Sequence, residues 1–248
     1  ITMNGNYVWL IDVEISNSSP TRVSNASGVS TATDIHQSTG INIFGVGTKV
    51  INCSIHDCPG TGIGYWSSAL DAEVYGSFIF YNGFSALDRG HGPSFYVQNT
   101  DAARPKSLRN CFVFSGFSTG VQFYASATSK KLQGLIVDSC TIFNQGALTR
   151  PTQARRRNIL AGAETSNLTN DSANATRVDG LYITNNVLYR DTTDNISKLY
   201  WPYDDYRENT ELGYQDELLS DKFLSFRKNH LYGDPLPLKM HNWDSGVF

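Results

Sequence analysis

"LRNCFVF" (108–114) and "VDSCTIF" (137–143) are the two segments on which the fold turns. Each has an apolar residue first, a cysteine fourth and an apolar residue sixth. The same frame recurs in "LIDVEIS" (10–16), "VINCSIH" (50–56), "VYGSFIF" (74–80), "ITNNVLY" (183–189) and "FRKNHLY" (226–232). The first column reads Leu10, Val50, Val74, Leu108, Val137, Ile183 and Phe226, and the sixth Ile15, Ile55, Ile79, Val113, Ile142, Leu188 and Leu231. Both are apolar throughout, so both face a core. The fourth column holds Val13, Cys53, Ser77, Cys111, Cys140, Asn186 and Asn229. These are small or amide side chains. Stacked at an inward bend, amides can bond one another and the bend's own backbone, so a polar group is buried and satisfied.

A shorter repeat lies between these segments: "TGINIF" (39–44), "TGIGYW" (61–66), "GPSFYV" (92–97), "TGVQFY" (119–124) and "RNILAG" (157–162). Each round of the chain therefore has at least two strands with a glycine-containing corner between them. Long apolar stretches of helical period are missing, while short β-branched and aromatic runs recur. Units that bury their apolar positions only against their neighbours stack into a solenoid. The uneven spacing of the repeats implies loops inserted at the corners. The pattern predicts an all-β chain, a parallel β-helix of about seven coils, one for each aligned segment. A β-sandwich or a propeller also supplies many short strands, but neither calls for a stacked Cys/Asn column with variable loops at the same corners.

Over nearly its whole length the chain resembles the right-handed parallel β-helix proteins of the pectate-lyase-like superfamily. More narrowly, "NGNYVWLIDVEI", "DAEVYGSFIFYNG", "DRGHGPSFYVQN" and "NILAG" are similar to stretches of secreted bacterial β-helix proteins. In those proteins the counterpart of 89–97 tends to read R-G-H-G-H-G-I-Y; Pro93 replaces the second histidine here. The resemblance implies a secreted, extracellular protein that acts on or binds polysaccharide.

Bulk properties narrow the partners. With 20 basic against 23 acidic residues and a formal charge of −3, the chain lacks the basic stripe of a nucleic-acid binder. "RPTQARRR" (150–157) is the one basic cluster and reads as a solvated loop. No apolar run approaches the roughly 18 residues of a membrane span. Cysteines at 53, 58, 111 and 140 follow no zinc-site spacing and are too few for a disulfide scaffold, so buried free thiols are expected. No cofactor motif appears, and Ca2+ is the one ion left open. A single domain over 1–248 is expected, opening at Ile1 inside a strand as a piece of a longer chain does. Other domains or chains would then cap the open ends of the solenoid.

"LDRGHGPSFYVQN" (87–99) sets an acid, a base and an imidazole among glycines. Polysaccharide cleavage needs two carboxylates for hydrolysis, or a base plus charge neutralisation of a uronate for β-elimination. Asp88, Arg89 and His91 at this corner, with Asp71 and Glu73 just ahead of the preceding strand, are the candidate catalytic set. Arg89 could clamp a carboxylate and His91 could move a proton near neutral pH. A tight turn is the other reading, with Asp88 paired to Arg89 and the glycines at positive φ. Trp66, Tyr96, Gln98, Trp201 and Tyr203 are the candidate sugar-binding residues, by ring stacking and amide hydrogen bonds.

Pleat alternation turns the fifth and seventh columns outward, where they carry Phe78/Phe80, Phe112/Phe114, Phe143, Tyr189 and Tyr232. Such a stripe needs a cover or a ligand. The insertion at 198–222 could supply the cover, as a lid or through a short helix over "YQDELLSDKFL". Two functions remain open: an extracellular polysaccharide-binding protein that cleaves its ligand as a lyase or hydrolase, and a non-catalytic surface, adhesin or fibre module that uses the solenoid as a rigid rod.

Overall fold

A computed structural model describes residues 1–17, 19–26, 31–124, 131–149, 157–162, 177–190, 210–214, 217–218, 224–232 and 238–240. Every regular element among these is a β-strand. Three long parallel sheets of eight, eight and seven strands carry the fold, beside one two-stranded pair. The chain visits the sheets in the same order each round. Ile63–Tyr65 lies in the first sheet, Glu73–Tyr75 in the second and Phe78–Phe80 in the third. Phe95–Val97, Lys106–Arg109 and Phe112–Phe114 then pair with them one round later, in parallel register. Stacked parallel strands of this kind are the architecture that the two repeats predict.

The seven-residue repeat is itself two strands, not one. Its third residue, Asp12, Asn52, Gly76, Asn110, Ser139, Asn185 or Lys228, sits at φ between 51° and 62° and breaks each segment into a second-sheet and a third-sheet strand. Glycine, asparagine and aspartate enter this left-handed region at little cost, and five of the seven corners use one of them. The shorter repeat supplies the first sheet, with Ile41, Ile63, Phe95, Val121 and Ile159 in register.

The columns fall where the repeat puts them. Val50, Val74, Leu108, Val137 and Ile183 are buried in one continuous core with Ile55, Ile79, Val113, Ile142 and Leu188. The fourth column forms a bonded seam at the corner. Asn186 Oδ1 accepts from the Cys140 N–H at 2.8 Å, and its Nδ2 donates to Val137 O at 3.0 Å and to Asn229 Oδ1 at 2.9 Å. The Cys53 N–H donates to Ser77 Oγ, and the thiols of Cys111 and Cys140 turn to the carbonyls of Arg109 and Asp138.

All four cysteines are buried free thiols, and burial raises the pKa of Cys58 to about 11. A thiol so placed is a poor nucleophile. Titration with a thiol reagent is therefore expected to label almost nothing in the native protein and all four groups in denaturant without reductant. Two groups blocked in denaturant would mean that Cys111 and Cys140 are bridged.

Part of the 198–222 insertion belongs to the sheets. Thr210–Tyr214 pairs with Ile159–Gly162, and Glu217–Leu218 with Arg177–Val178. Leu224–Arg227 also joins the second sheet, so the described residues of "YQDELLSDKFL", Tyr214, Glu217, Leu218 and Leu224, are in strands and not in the expected helix. Parallel pairing to an existing strand satisfies its backbone where a lone short helix would have to pack across the coils. The rest of the insertion, with Trp201 and Tyr203, lies outside the described residues.

Candidate functional site

The corner that holds Asp88, Arg89 and His91 joins the third-sheet strand Phe78–Phe80 to the first-sheet strand Phe95–Val97. Phe84–Ser85 and Gly90–His91 form an antiparallel pair there, with Phe84 opposite His91. Partners directly opposite share a face, so the imidazole lands on the phenyl ring: centroids 5.0 Å apart, planes within 10°. Phe84 and Ala86 form a small core with Ala32 and Ile35. The segment before it is tied on by Ser85 N–H to Arg22 O and Ser24 N–H to Ser85 O, each 2.8 Å.

This packing changes the reading of His91. Its side chain is only 3% exposed, and Nε2 donates to Asp88 Oδ1 at 3.1 Å. Asp88 Oδ2 in turn pairs with Arg89 Nη1 at 2.7 Å. Burial disfavours the Asp88 carboxylate. The hydrogen bond and charge of His91, with the charge of Arg89, outweigh burial and hold its pKa below the ordinary aspartate value. Asp88, Arg89 and His91 do come together, but as a satisfied cluster behind a corner and not as an imidazole facing a groove. The glycines serve the corner too. Gly92 has φ of +72°, and a Cβ at Gly90 would stand 1.7 Å from the Phe117 carbonyl oxygen.

Asp71 and Glu73 sit elsewhere in the round, Asp71 just before the second sheet and Glu73 at the start of its strand Glu73–Tyr75. Asp71, at φ of +55°, takes Arg104 at 2.7 Å. Glu73 lies on the outer face of the second sheet in a row of opposite charges: Lys49 at 3.0 Å on one side and Arg109 at 3.6 Å on the other, with Arg109 reaching Asp138 at 3.7 Å. Lys49 faces Glu73 and Arg109 faces Asp138 directly across the strands, while Arg109 reaches Glu73 on the diagonal. The two carboxylates thus have cation partners of their own and share none with Asp88.

Trp66, Tyr96 and Gln98 do meet, on the outer face of the first sheet. The Trp66 indole N–H donates to Asn42 Oδ1 at 2.9 Å, and Gln98 Nε2 donates to Tyr96 Oη at 3.3 Å. The Trp66 and Tyr96 ring centroids are 5.7 Å apart with planes at 51°, and Tyr96 and Tyr124 are 6.5 Å apart at 45°. Asn42, Gly64, Tyr96 and Gln122 occupy successive positions of one cross-strand row. Asn42, Gln122 and Tyr124 were legible in the shorter repeat, had its columns been read as the longer one's were. Beneath this face Lys106 is wholly buried, its ammonium donating to the carbonyls of Trp66 and Gln98, and burial pushes its pKa down to about 7.

The third-sheet stripe behaves differently. His56, Phe80, Phe114 and Phe143 stack with centroids 4.7, 4.9 and 5.1 Å apart and planes within 10°. Phe78 and Phe112 stack likewise, at 5.3 Å and 11°. These separations match the strand spacing, so the rings lie across the stack and spend their faces on each other. Phe80 and Phe114 have both faces covered in this way, Phe78 and Phe112 one face each. A sugar ring packs its C–H groups on an aromatic face; on the first sheet Trp66 lies stacked on Phe44, 5.9 Å apart at 12°, while Trp66, Tyr96 and Tyr124 are tilted to one another and do not cover one another's faces.

Comparison with protein-family models, with curated proteins and with solved structures finds no match. The site is therefore read from its own chemistry. Among the described residues no three His, Cys, Asp or Glu side chains group as they would around a metal ion. No helix among them is long and apolar enough to cross a membrane.

Proposed function

We propose that the chain is a right-handed, pectate-lyase-like parallel β-helix of about seven coils, one per aligned segment, that works outside the cell and binds an extended polysaccharide along its first sheet. The observation that carries this reading is the row of tilted aromatic rings and amides formed by Asn42, Trp66, Tyr96, Gln98, Gln122 and Tyr124. Half-buried rings with a polar edge, repeated at strand spacing, suit a ligand that is itself a linear repeat of apolar faces and hydroxyls. Right-handed winding follows the strong preference of parallel crossover connections.

Binding, not cleavage, is the activity this arrangement favours. Hydrolysis would need two carboxylates flanking one bond, and elimination a base beside a cation. Asp88 is engaged by His91 and Arg89, Asp71 by Arg104, and Glu73 by Lys49 and Arg109. No described carboxylate of the candidate set is left to act alone over the first sheet.

The test is a polysaccharide panel read for retention in affinity gels, with product formation followed at 235 nm and by reducing ends. Trp66→Ala and Tyr96→Ala are each expected to weaken binding at least tenfold, about 1.4 kcal/mol, with unchanged secondary structure. A protein that binds no polysaccharide would favour the rod module instead, and product formation would restore the catalytic reading.

A further inference from the structure

We infer that the polysaccharide held on the first sheet is electrically neutral, not a uronate or sulfated polymer; this deepens the binding reading above and rests on it. Over the four rounds from Asn42 to Tyr124 the face presents amides and aromatic rings, Asn42, Phe44, Trp66, Tyr96, Gln98, Gln122 and Tyr124; farther on the row passes Leu160 to Glu211 and Lys239, one charge of each sign. Burial raises the Tyr96 pKa above the ordinary tyrosine value, so this ring stays uncharged through neutral and mildly alkaline pH. An anionic polymer brings a charge with every residue or two. A site for it needs cations at matching intervals, usually arginines with a free planar fork.

The cations described around these four rounds are committed elsewhere. Arg89, at the corner leading into Phe95–Val97, pairs with Asp88 at 2.7 Å. Arg104, in the loop leaving the same strand, pairs with Asp71 at 2.7 Å. Lys49 and Arg109 belong to the second-sheet row, on Glu73 and Asp138. Lys106 lies directly beneath the face but is fully enclosed, and its amine is turned to the carbonyls of Trp66 and Gln98. It cannot touch a ligand. A carboxylate settling over these four rounds would give up its water and meet no cation in exchange. A neutral chain of hydroxyls meets amide donors and acceptors and ring faces instead.

The experiment compares six-sugar probes by calorimetry on the whole chain: cellohexaose, xylohexaose and mannohexaose against hexagalacturonate and hexaguluronate, each at low and at physiological salt. Neutral polysaccharides retained in the affinity gels are included as well. The expected result is binding of at least one neutral probe or polymer, changing less than twofold between the salts, with the uronates at least tenfold weaker. Gln122→Glu separates the cases further. It should lower affinity for a uronate at least tenfold and for a neutral glycan by much less. Preferential, salt-sensitive binding of a uronate would overturn the inference while leaving the binding function intact. Absence of binding to every probe and polymer would overturn both.

Discussion

Raising the pH from about 7 to about 8.5 is expected to strengthen the folded state by about 2 kcal/mol through Lys106 alone. The folded-state pKa of this lysine is pushed down to about 7, while in the unfolded chain it lies near the ordinary value of 10.5. Below about 7 both states hold the proton, and the fold bears the whole cost of an ammonium with no carboxylate beside it. Above that, the folded lysine is neutral while the unfolded chain still takes up a proton. Each pH unit then adds up to about 1.4 kcal/mol to stability, until the unfolded lysine also titrates. The neutral amine keeps two N–H donors, enough for the carbonyls of Trp66 and Gln98, so the contact survives deprotonation.

Other groups oppose this trend. His56 has its pKa raised despite burial, by hydrogen bonds from its ring nitrogens to Asp57 and Glu14, so its contribution is lost as the pH climbs through that value. Cys58, Cys140 and Tyr65, with pKa raised by burial, weaken the fold at higher pH, where their unfolded forms ionise. Lys106→Met isolates the lysine, because its effect on the two carbonyls does not vary with pH. Urea unfolding of both proteins across the window should show the wild type gaining on the variant with rising pH. Parallel curves would mean that Lys106 is charged in the fold.

Gly90→Ala is the second large effect, expected to cost about 3 kcal/mol or more and to lower the melting temperature by about 6–12 °C. The added methyl would meet the Phe117 carbonyl oxygen at 1.7 Å and Thr149 Oγ1 at 2.4 Å, so a neighbouring coil must move to admit it. His91→Ala should cost about 1–3 kcal/mol, from the lost contact with Phe84 and an Asp88 carboxylate left with Arg89 alone. Folded His91→Ala protein should bind glycan as the wild type does, since the imidazole is turned away from the first-sheet face. Thermal melts with binding measured below the transition check both. A Gly90→Ala protein that melts as the wild type does would refute the packed corner. A His91→Ala protein that melts normally yet fails to bind would return the histidine to the site.

The stacked sheets were legible because a repeating unit writes the same requirement many times: Val50, Val74, Leu108 and Val137 face one core for one reason. The third strand of each round was not, because the corner that creates it is a single residue at positive φ. Asn52 and Asn110 advertise such a corner, but Ser139 and Lys228 do not. Site residues were harder still. Asp88 next to Arg89 and His91 is the same string of letters whether the imidazole faces water or a phenyl ring, and only the Phe84–His91 pairing decides. Trp66, Tyr96 and Gln98 share the outer face of the first sheet, as the alternation of short strands places them. Lys106 was missed since nothing in "ARPKSLRN" marks a lysine that turns inward.

The ring column on the third sheet makes the stack unequal in its resistance to bending. His56, Phe80, Phe114 and Phe143 stand in contact along the axis, so curving the stack towards them compresses atoms already at van der Waals distance. Curving it away parts the rings and wets their faces. The second sheet instead carries Lys49, Glu73, Arg109 and Asp138, and the many rotatable bonds of the lysine, glutamate and arginine absorb small changes in spacing. A load that flexes the stack should therefore be taken up at the ionic row while the aromatic column holds its length. The first sheet, where Trp66, Tyr96 and Tyr124 are tilted to one another, keeps more freedom to adjust its spacing to the repeat of whatever chain lies along it.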